Sequence, residues 1–368
     1  MKRLPIVLAL GLLTLTAFPS AAPTRQAATD AEIASRADAL MSGLFSSGRF
    51  DGTVLLARNG KVVFEKGYGM ANFEWDIPNA PSTKFRLGSI TKQFTSMAIM
   101  QLEERGLLNV QDPIGKYLTD YPKPAADRVT IHHLLTHSSG IPSFTGLPDY
   151  GPRMSIKSSV AEMIDRFKNL PLEFEPGSSF KYDNSGYFLL GAIIEKVGGK
   201  PYDVFLQENI FKPLGMRDTG YDWTSVVLKN RASGYERGPA GLMNASYLDM
   251  SQPFAAGSLY STVDDLLTWD QALYTERLVK AASIERLFHP WIAAGPQGHY
   301  GYGWAVSTVK GHRNIAHGGG INGFNTFISR FPDDHAVFIW LRNVITPASP
   351  TMNQDLSAIL LGEKAGGR

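Results

Sequence analysis

The chain has 368 residues, 43% apolar and 19% charged, which fits a folded protein with a large core and excludes a disordered or low-complexity polymer. With 36 basic against 34 acidic residues, the near-neutral balance offers no field for nucleic acid or an anionic membrane, so neither is expected as a partner. The absence of cysteine excludes a disulfide framework, a thiolate zinc site and a lipidated cysteine.

Residues 1–22 read as a secretory signal peptide: "MKR", the apolar run "LPIVLALGLLTLTAF", then the small residues "PSAA". Cleavage is expected near Ala21 or Ala22. The run is too short for a comfortable transmembrane span. The mature chain is therefore expected to be secreted or periplasmic, with no membrane span after cleavage. Residues 23–368 are expected to form one unit.

Asp30 reads as the cap of a first helix, with Ile33, Ala37, Leu40, Met41 and Leu44 on one stripe and Gly48 as its stop. Next, "GTVLLARNGKVVFEKGYG" places two β-branched runs around Asn59-Gly60, a type I′ hairpin signal. A helix then follows from Ser89, with Ile90, Phe94, Met97, Ala98 and Leu102 on one face and Gly106 at its end. The middle of the chain reads as helices and loops. "VTIHHLLTHSSGIP", "SSVAEMIDRFKNL", "SGYFLLGAIIEKVGG", "PYDVFLQENIFKPLG" and "STVDDLLTWDQALYT" are its helical segments. Residues 233–257 show no period and read as a long loop. Strands return in "GWAVSTVKG", "HRNIAHGGG", "GFNTFISRF" and "HAVFIWLRN", the last two joined by "PDD". A final helix is expected at about 352–361. Strands at both ends with helices between predict an α/β (α+β) fold: one sheet assembled from the two chain ends, facing a mainly helical insertion. The sheet part spans about 30–115 and 290–368, and the helical part about 116–289.

Three S-x-x-K pairs occur: Ser89/Lys92, Ser178/Lys181 and Ser307/Lys310. Only Ser89 opens an apolar helix, where unpaired N–H groups and the dipole favour an oxyanion. Lys92 lies one turn on, on the same face. A lysine among apolar neighbours is pushed toward neutrality and becomes a base, and the serine is something for it to deprotonate. The second piece is Tyr182-x-Asn184. A tyrosine beside a cationic lysine loses its proton more readily and can shuttle it to a leaving group. Asn184 can orient Lys92 and donate to a substrate carbonyl. The third piece is "HGGGINGFNTFI", from His317. Its glycines expose backbone N–H groups, one of which can complete an oxyanion hole with Ser89. If His317 carries a charge that assists catalysis, activity should change over roughly pH 6–7.

In order and content these pieces resemble the serine β-lactamase and penicillin-binding protein superfamily. They include "FRLGSITKQFTS", "LLTHSSGIP", "FEPGSSFKYDNSGYFLLG", "FKPLGMRDTG", "AAGSLYSTVDDLLTW", "YGYGW" and "HGGG". The likeness covers roughly residues 30–345 and is greatest to class C β-lactamases, D-alanyl-D-alanine carboxypeptidases and related esterases. It implies a β-lactamase/transpeptidase-like fold. It also implies Ser89 as acylated nucleophile, Lys92 as its base, and Tyr182 as the group that protonates the leaving group. Asn184, His317, Gly319 and Gly320 become substrate-binding residues, Gly320 sharing the oxyanion hole with Ser89. Gly318 departs from the family pattern, which has a hydroxyl that helps bind a substrate carboxylate. The departure favours esters or amides lacking that carboxylate over efficient β-lactamase or carboxypeptidase action. Asp183, where serine is common, decides less.

The expected function is thus a secreted serine hydrolase acting through an acyl-enzyme on an ester or amide, without cofactor or metal. Its substrate is a small molecule or peptide, cell-wall peptides among them. A class C-like β-lactamase or carboxypeptidase and a non-catalytic penicillin-binding-like sensor are the alternatives. Specificity is expected in the loops around 144–154 and 235–257. His133 and His137 are spaced as a zinc pair, but no third ligand is evident and capping or structural roles are expected. No G-x-S-x-G elbow exists, which argues against an α/β-hydrolase triad.

Overall fold

The computed structural model describes residues 28–346 and 349–363. The stretch read as a signal peptide and its cleavage position lie outside the described residues. Among those described, no helix is long and apolar enough to cross a membrane.

Gly52–Arg58 (β1) and Lys61–Tyr68 (β2) form the expected hairpin, with Asn59 and Gly60 at φ 51° and 73° as a type I′ turn requires. The late strands are Ile292–Ala293 (β3), His299–Tyr300 (β4), Ala305–Val309 (β5), His312–Ile321 (β6), Phe324–Phe331 (β7) and Ala336–Arg342 (β8). The two ends join in one antiparallel sheet of order β3-β4-β5-β6-β7-β8-β1-β2.

The sheet is covered on both faces, and its central strands show why. On β1, Leu55 and Ala57 join the helical core, while Val54 and Leu56 face an outer layer. On β8, Val337, Ile339 and Leu341 go one way and Phe338 and Trp340 the other. This is the period of two, with both faces apolar. The outer layer is the helix Asp30–Ser46 (α1) with the C-terminal helix Met352–Leu360. Thr29, rather than Asp30, caps α1: its hydroxyl accepts from the Glu32 N–H, and Glu32 reaches back to the Thr29 N–H in a capping box.

The inner layer is built around Thr91–Glu104 (α2) and Asn184–Gly198 (α3). α2 is buried on every side from Thr91 to Leu102, not along one stripe as its apolar period suggested. Most of its polar atoms have protein partners instead of water, the amide nitrogen of Gln93 and the amide oxygen of Gln101 excepted. The Trp269 indole donates to Gln93, and Thr95 donates to the Ala255 carbonyl. The tract 233–257, read as a loop, contains a short hairpin, Tyr235–Gly238 with Gly241–Asn244, whose first strand lies parallel to Val344–Ile345. Four-residue, half-exposed strands are too short for alternation to register.

Candidate active site

Ser89 lies in a 3₁₀ turn, Gly88–Ile90, that runs directly into α2. Gly88 has φ 54°, and a Cβ there would stand 2.9 Å from the Gly320 nitrogen. Glycine thus lets the serine turn press against β6. On β6, pairing with β5 ends at Ala316, so from His317 to Ile321 only the β7 side is laddered and the other edge is open toward the turn. Ser89, Thr145, Asn184, Leu248, Gly320 and Asn322 help line a cavity of about 130 Å³ at this junction.

Lys92 is fully buried, and its Nζ donates to Ser89 Oγ at 3.0 Å, Asn184 Oδ1 at 2.8 Å and the Ala256 carbonyl at 2.8 Å. Aromatic rings flank it, with Nζ 4.9 Å from the ring centre of Tyr182 and 5.4 Å from that of Tyr187. Burial lowers its pKa to about 7, against a smaller upward pull from Asp183. The other S-x-x-K lysines are surface ion pairs, Lys181 with Glu173 and Lys310 with Glu363.

Tyr182, Asp183 and Asn184 stand at the start of α3 with separate tasks. Asp183 turns away from the serine and caps α3, accepting from the N–H groups of Ser185 at 2.7 Å and Gly186 at 2.9 Å. Burial raises its carboxyl to about 7 while these bonds draw it down. Asn184 is oriented by its other end, Nδ2 donating to Thr145 Oγ1 at 3.1 Å, which leaves Oδ1 for Lys92. Loss of water raises the Tyr182 phenol above its usual value, with the Ser89 hydroxyl drawing it down. The expectation that Tyr182 readily loses its proton is therefore corrected: desolvation outweighs its neighbours. The residue as a whole is 37% exposed, which tempers the effect.

His317 belongs to a hydrogen-bonded row whose direction is fixed by its two backbone ends. The Asp183 N–H must donate, and it reaches His137 Nδ1 at 3.1 Å. His137 therefore carries its proton on Nε2, which donates to Tyr300 Oη at 3.2 Å. The Gly318 carbonyl must accept, and His317 Nδ1 lies 2.7 Å from it. His317 Nε2 is then a lone pair that accepts from Tyr300 Oη at 2.8 Å. All three side chains are buried. Burial, with the nearby Lys92 charge, lowers the His317 pKa to about 4. A charge on His317 near pH 6–7 is therefore not supported, because the site desolvates the imidazole and both its nitrogens are already engaged.

The sequence-predicted residues thus converge: Ser89, Lys92 and Asn184 by direct bonds, and Tyr182 by contact with Lys92 and by its ring 6.2 Å from that of His317. Gly320 borders the cavity. Gly319 instead backs onto Leu87 and Thr326, where a Cβ would stand 2.0 Å from the Leu87 carbonyl. Sequence reasoning missed Tyr300 and Tyr187, and gave His137 no place in the site, although "YGYGW", "FEPGSSFKYDNSGYFLLG" and "LLTHSSGIP" carried all three. The His137 ring packs 4.2 Å from that of Tyr182. His133 caps the short helix Ile131–Leu135 through Thr130. Among the described residues, no group of three His, Asp or Glu side chains is placed to hold a metal.

This fold and this residue set define a protein of the serine β-lactamase and penicillin-binding protein class. Residues 33–360 match the Beta-lactamase family, and the chain belongs to that family of serine hydrolases. It is 32% identical over 316 residues to a penicillin-binding protein of Bacillus subtilis (strain 168), covering 80% of this chain and 68% of the relative. Among solved structures it is similar to the octameric penicillin-binding protein homologue from Pyrococcus abyssi (TM-score 0.80, 30% identity, 90% of this chain and 78% of the other). It is also similar to the D-amino acid amidase of Ochrobactrum anthropi SV3 in complex with D-phenylalanine (TM-score 0.73, 25% identity, 85% and 91%).

Proposed function

We propose that the chain is a secreted or periplasmic hydrolase that cleaves an ester or amide through an acyl-enzyme on Ser89. Export rests on residues 1–22, and residues 23–368 act as one catalytic unit of a sheet part and a helical part. The observation that carries the reading is the choice of partners around Lys92. Of its three acceptors, the Ala256 carbonyl and Asn184 Oδ1 have no proton to give. A neutral Lys92 must therefore turn its lone pair to Ser89, the only partner with a hydrogen.

The steps follow from that arrangement. Lys92 takes the Ser89 proton as Oγ bonds to the substrate carbonyl carbon. The oxyanion is held by the backbone N–H groups of Ser89 and Gly320. Asn184 holds Lys92 in line. The tetrahedral species collapses, breaking the bond to the alcohol or amine. Tyr182, kept protonated by desolvation, gives that group its proton and recovers one from Lys92. Water then attacks the acyl carbon by the same route and restores Ser89.

Gly318 supports esters or amides without a carboxylate at the position where the family hydroxyl binds one. The likeness to a D-amino acid amidase supports an amide as one such substrate. The test is turnover of a short p-nitrophenyl ester and of a D-amino acid amide, beside intact-protein mass after mixing with a penicillin. Ser89-dependent turnover of either is expected. A lasting penicillin adduct on Ser89 with no turnover would replace this reading with a penicillin-binding sensor.

A further inference from the structure

The cavity at Ser89 abuts a second lobe of about 300 Å³, and the two share Leu248 and Asn322 in their walls. Among the described residues, the only charged ones lining either lobe are Arg86 and Arg231, and no carboxylate lines them. Both arginines grip the buried Asp222, Arg86 through Nε at 2.6 Å and Arg231 through Nη1. Two guanidinium groups thus share one carboxylate, leaving one positive charge in excess. Both Nη atoms of Arg86, and Nε and Nη2 of Arg231, have no hydrogen-bond partner among the described residues, and none is a buried orphan. Phe324 packs beneath Arg86, its ring centre 6.0 Å from the guanidinium carbon. Pairing with Asp222 and stacking on Phe324 hold the forks in place, which suits planar recognition of a carboxylate.

The position of this lobe says which half of a substrate it meets. Tyr182, the proton donor to the leaving group, sits at the His317 end of β6. The second lobe begins at Asn322, in the turn just past β6, whose last residue Ile321 is roughly 13 Å from His317 at strand rise. With the carbonyl fixed between them at Ser89 and Gly320, the acyl half points to the arginines. Arg86 is three residues from Ser89, so their Cα atoms lie at most about 11 Å apart.

We propose that the second lobe is an anion subsite and that the preferred substrate has an acyl group ending in a carboxylate. This rests on the Ser89 hydrolase reading and adds the substrate class. It also accommodates Gly318: the carboxylate is held at the acyl end rather than beside the leaving group.

The test compares mono-p-nitrophenyl esters of glutaric and adipic acid with neutral p-nitrophenyl esters of matched length. Wild type, Arg231→Gln and Arg231→Lys are each assayed at low and high salt. The wild type is expected to favour the anionic esters, mainly through KM, and less so at high salt. Arg231→Gln is expected to lower the anionic-to-neutral ratio of kcat/KM about tenfold, and Arg231→Lys to restore part of it. Equal treatment of both esters by the wild type, or an unchanged ratio in Arg231→Gln, overturns the subsite while the hydrolase stands. Failure of the wild type on every ester, with no turnover of a D-amino acid amide either, overturns the hydrolase and the subsite with it.

Discussion

Tyr300 donates its hydroxyl proton to Nε2 of His317 across 2.8 Å, and that single bond sets the state of the imidazole. Because the Gly318 carbonyl occupies Nδ1, His317 is a neutral Nδ1–H tautomer with no free nitrogen. Nitrogen-15 NMR of histidine-labelled protein is expected to show this tautomer for His317 and the Nε2–H tautomer for His137. It should also show His317 unprotonated until pH falls toward 4. Titration of His317 near pH 6.5 would sink this assignment. Tyr300→Phe leaves two buried ring nitrogens unpartnered and should reduce kcat about ten- to a hundredfold while the fold survives.

The pH dependence of catalysis should belong to Lys92. Its pKa of about 7 lies far below the usual lysine value because burial disfavours the charged form. A base acts when unprotonated, so kcat/KM is expected to rise with pH through about 7 and then level off. Tyr182, pushed above its usual value, gives no descending limb near neutrality. A flat profile from pH 5.5 to 8.5 in buffers of constant ionic strength would count against Lys92 as base.

Ser89 and Lys92 were legible because a one-turn spacing on a helix is a local rule, and Asn59-Gly60 fixed its hairpin for the same reason. The fold class was legible from strands at both ends of the chain. The row behind His317 was not. Asp183 and His137 are 46 residues apart, and His137 and Tyr300 are 163 apart, so no local period brings them together. The burial of α2 was underread for a related reason: Gln93, Thr95 and Ser96 look solvent-facing until Trp269 bonds the Gln93 oxygen and Ala255 and Tyr187 arrive from elsewhere to bond the two hydroxyls.

The glycines after His317 should answer differently to substitution. A Cβ at Gly319 would collide with the Leu87 carbonyl at 2.0 Å and Thr326 Oγ1 at 2.3 Å, so Gly319→Ala is expected to lose activity and stability. A Cβ at Gly318 would meet nothing nearer than 3.4 Å, so space does not demand glycine there. Gly318→Thr supplies the hydroxyl that the family uses on a carboxylate, and is expected to quicken penicillin acylation of Ser89 severalfold. Adduct mass against time for wild type and variant decides it; equal rates would mean that the hydroxyl is not the missing element.

Lys92 should also cost the fold stability that it lends to catalysis. Its folded pKa of about 7 lies below the ordinary 10.5, so unfolding takes up a proton between those values. The cost is therefore full below pH 7 and shrinks as pH rises toward 10.5. It is on the order of 5 kcal/mol at its largest. Lys92→Met removes the charge but strands Asn184 Oδ1 and the Ala256 carbonyl, a loss that does not depend on pH. The variant is expected to lose about a thousandfold or more in kcat/KM. Its stability relative to wild type, from urea unfolding, should be more favourable at pH 6.5 than at pH 9.5 by about 3 kcal/mol. A relative stability constant across that range would mean that Lys92 stays protonated in the folded protein, and the assignment of the base would fail with it.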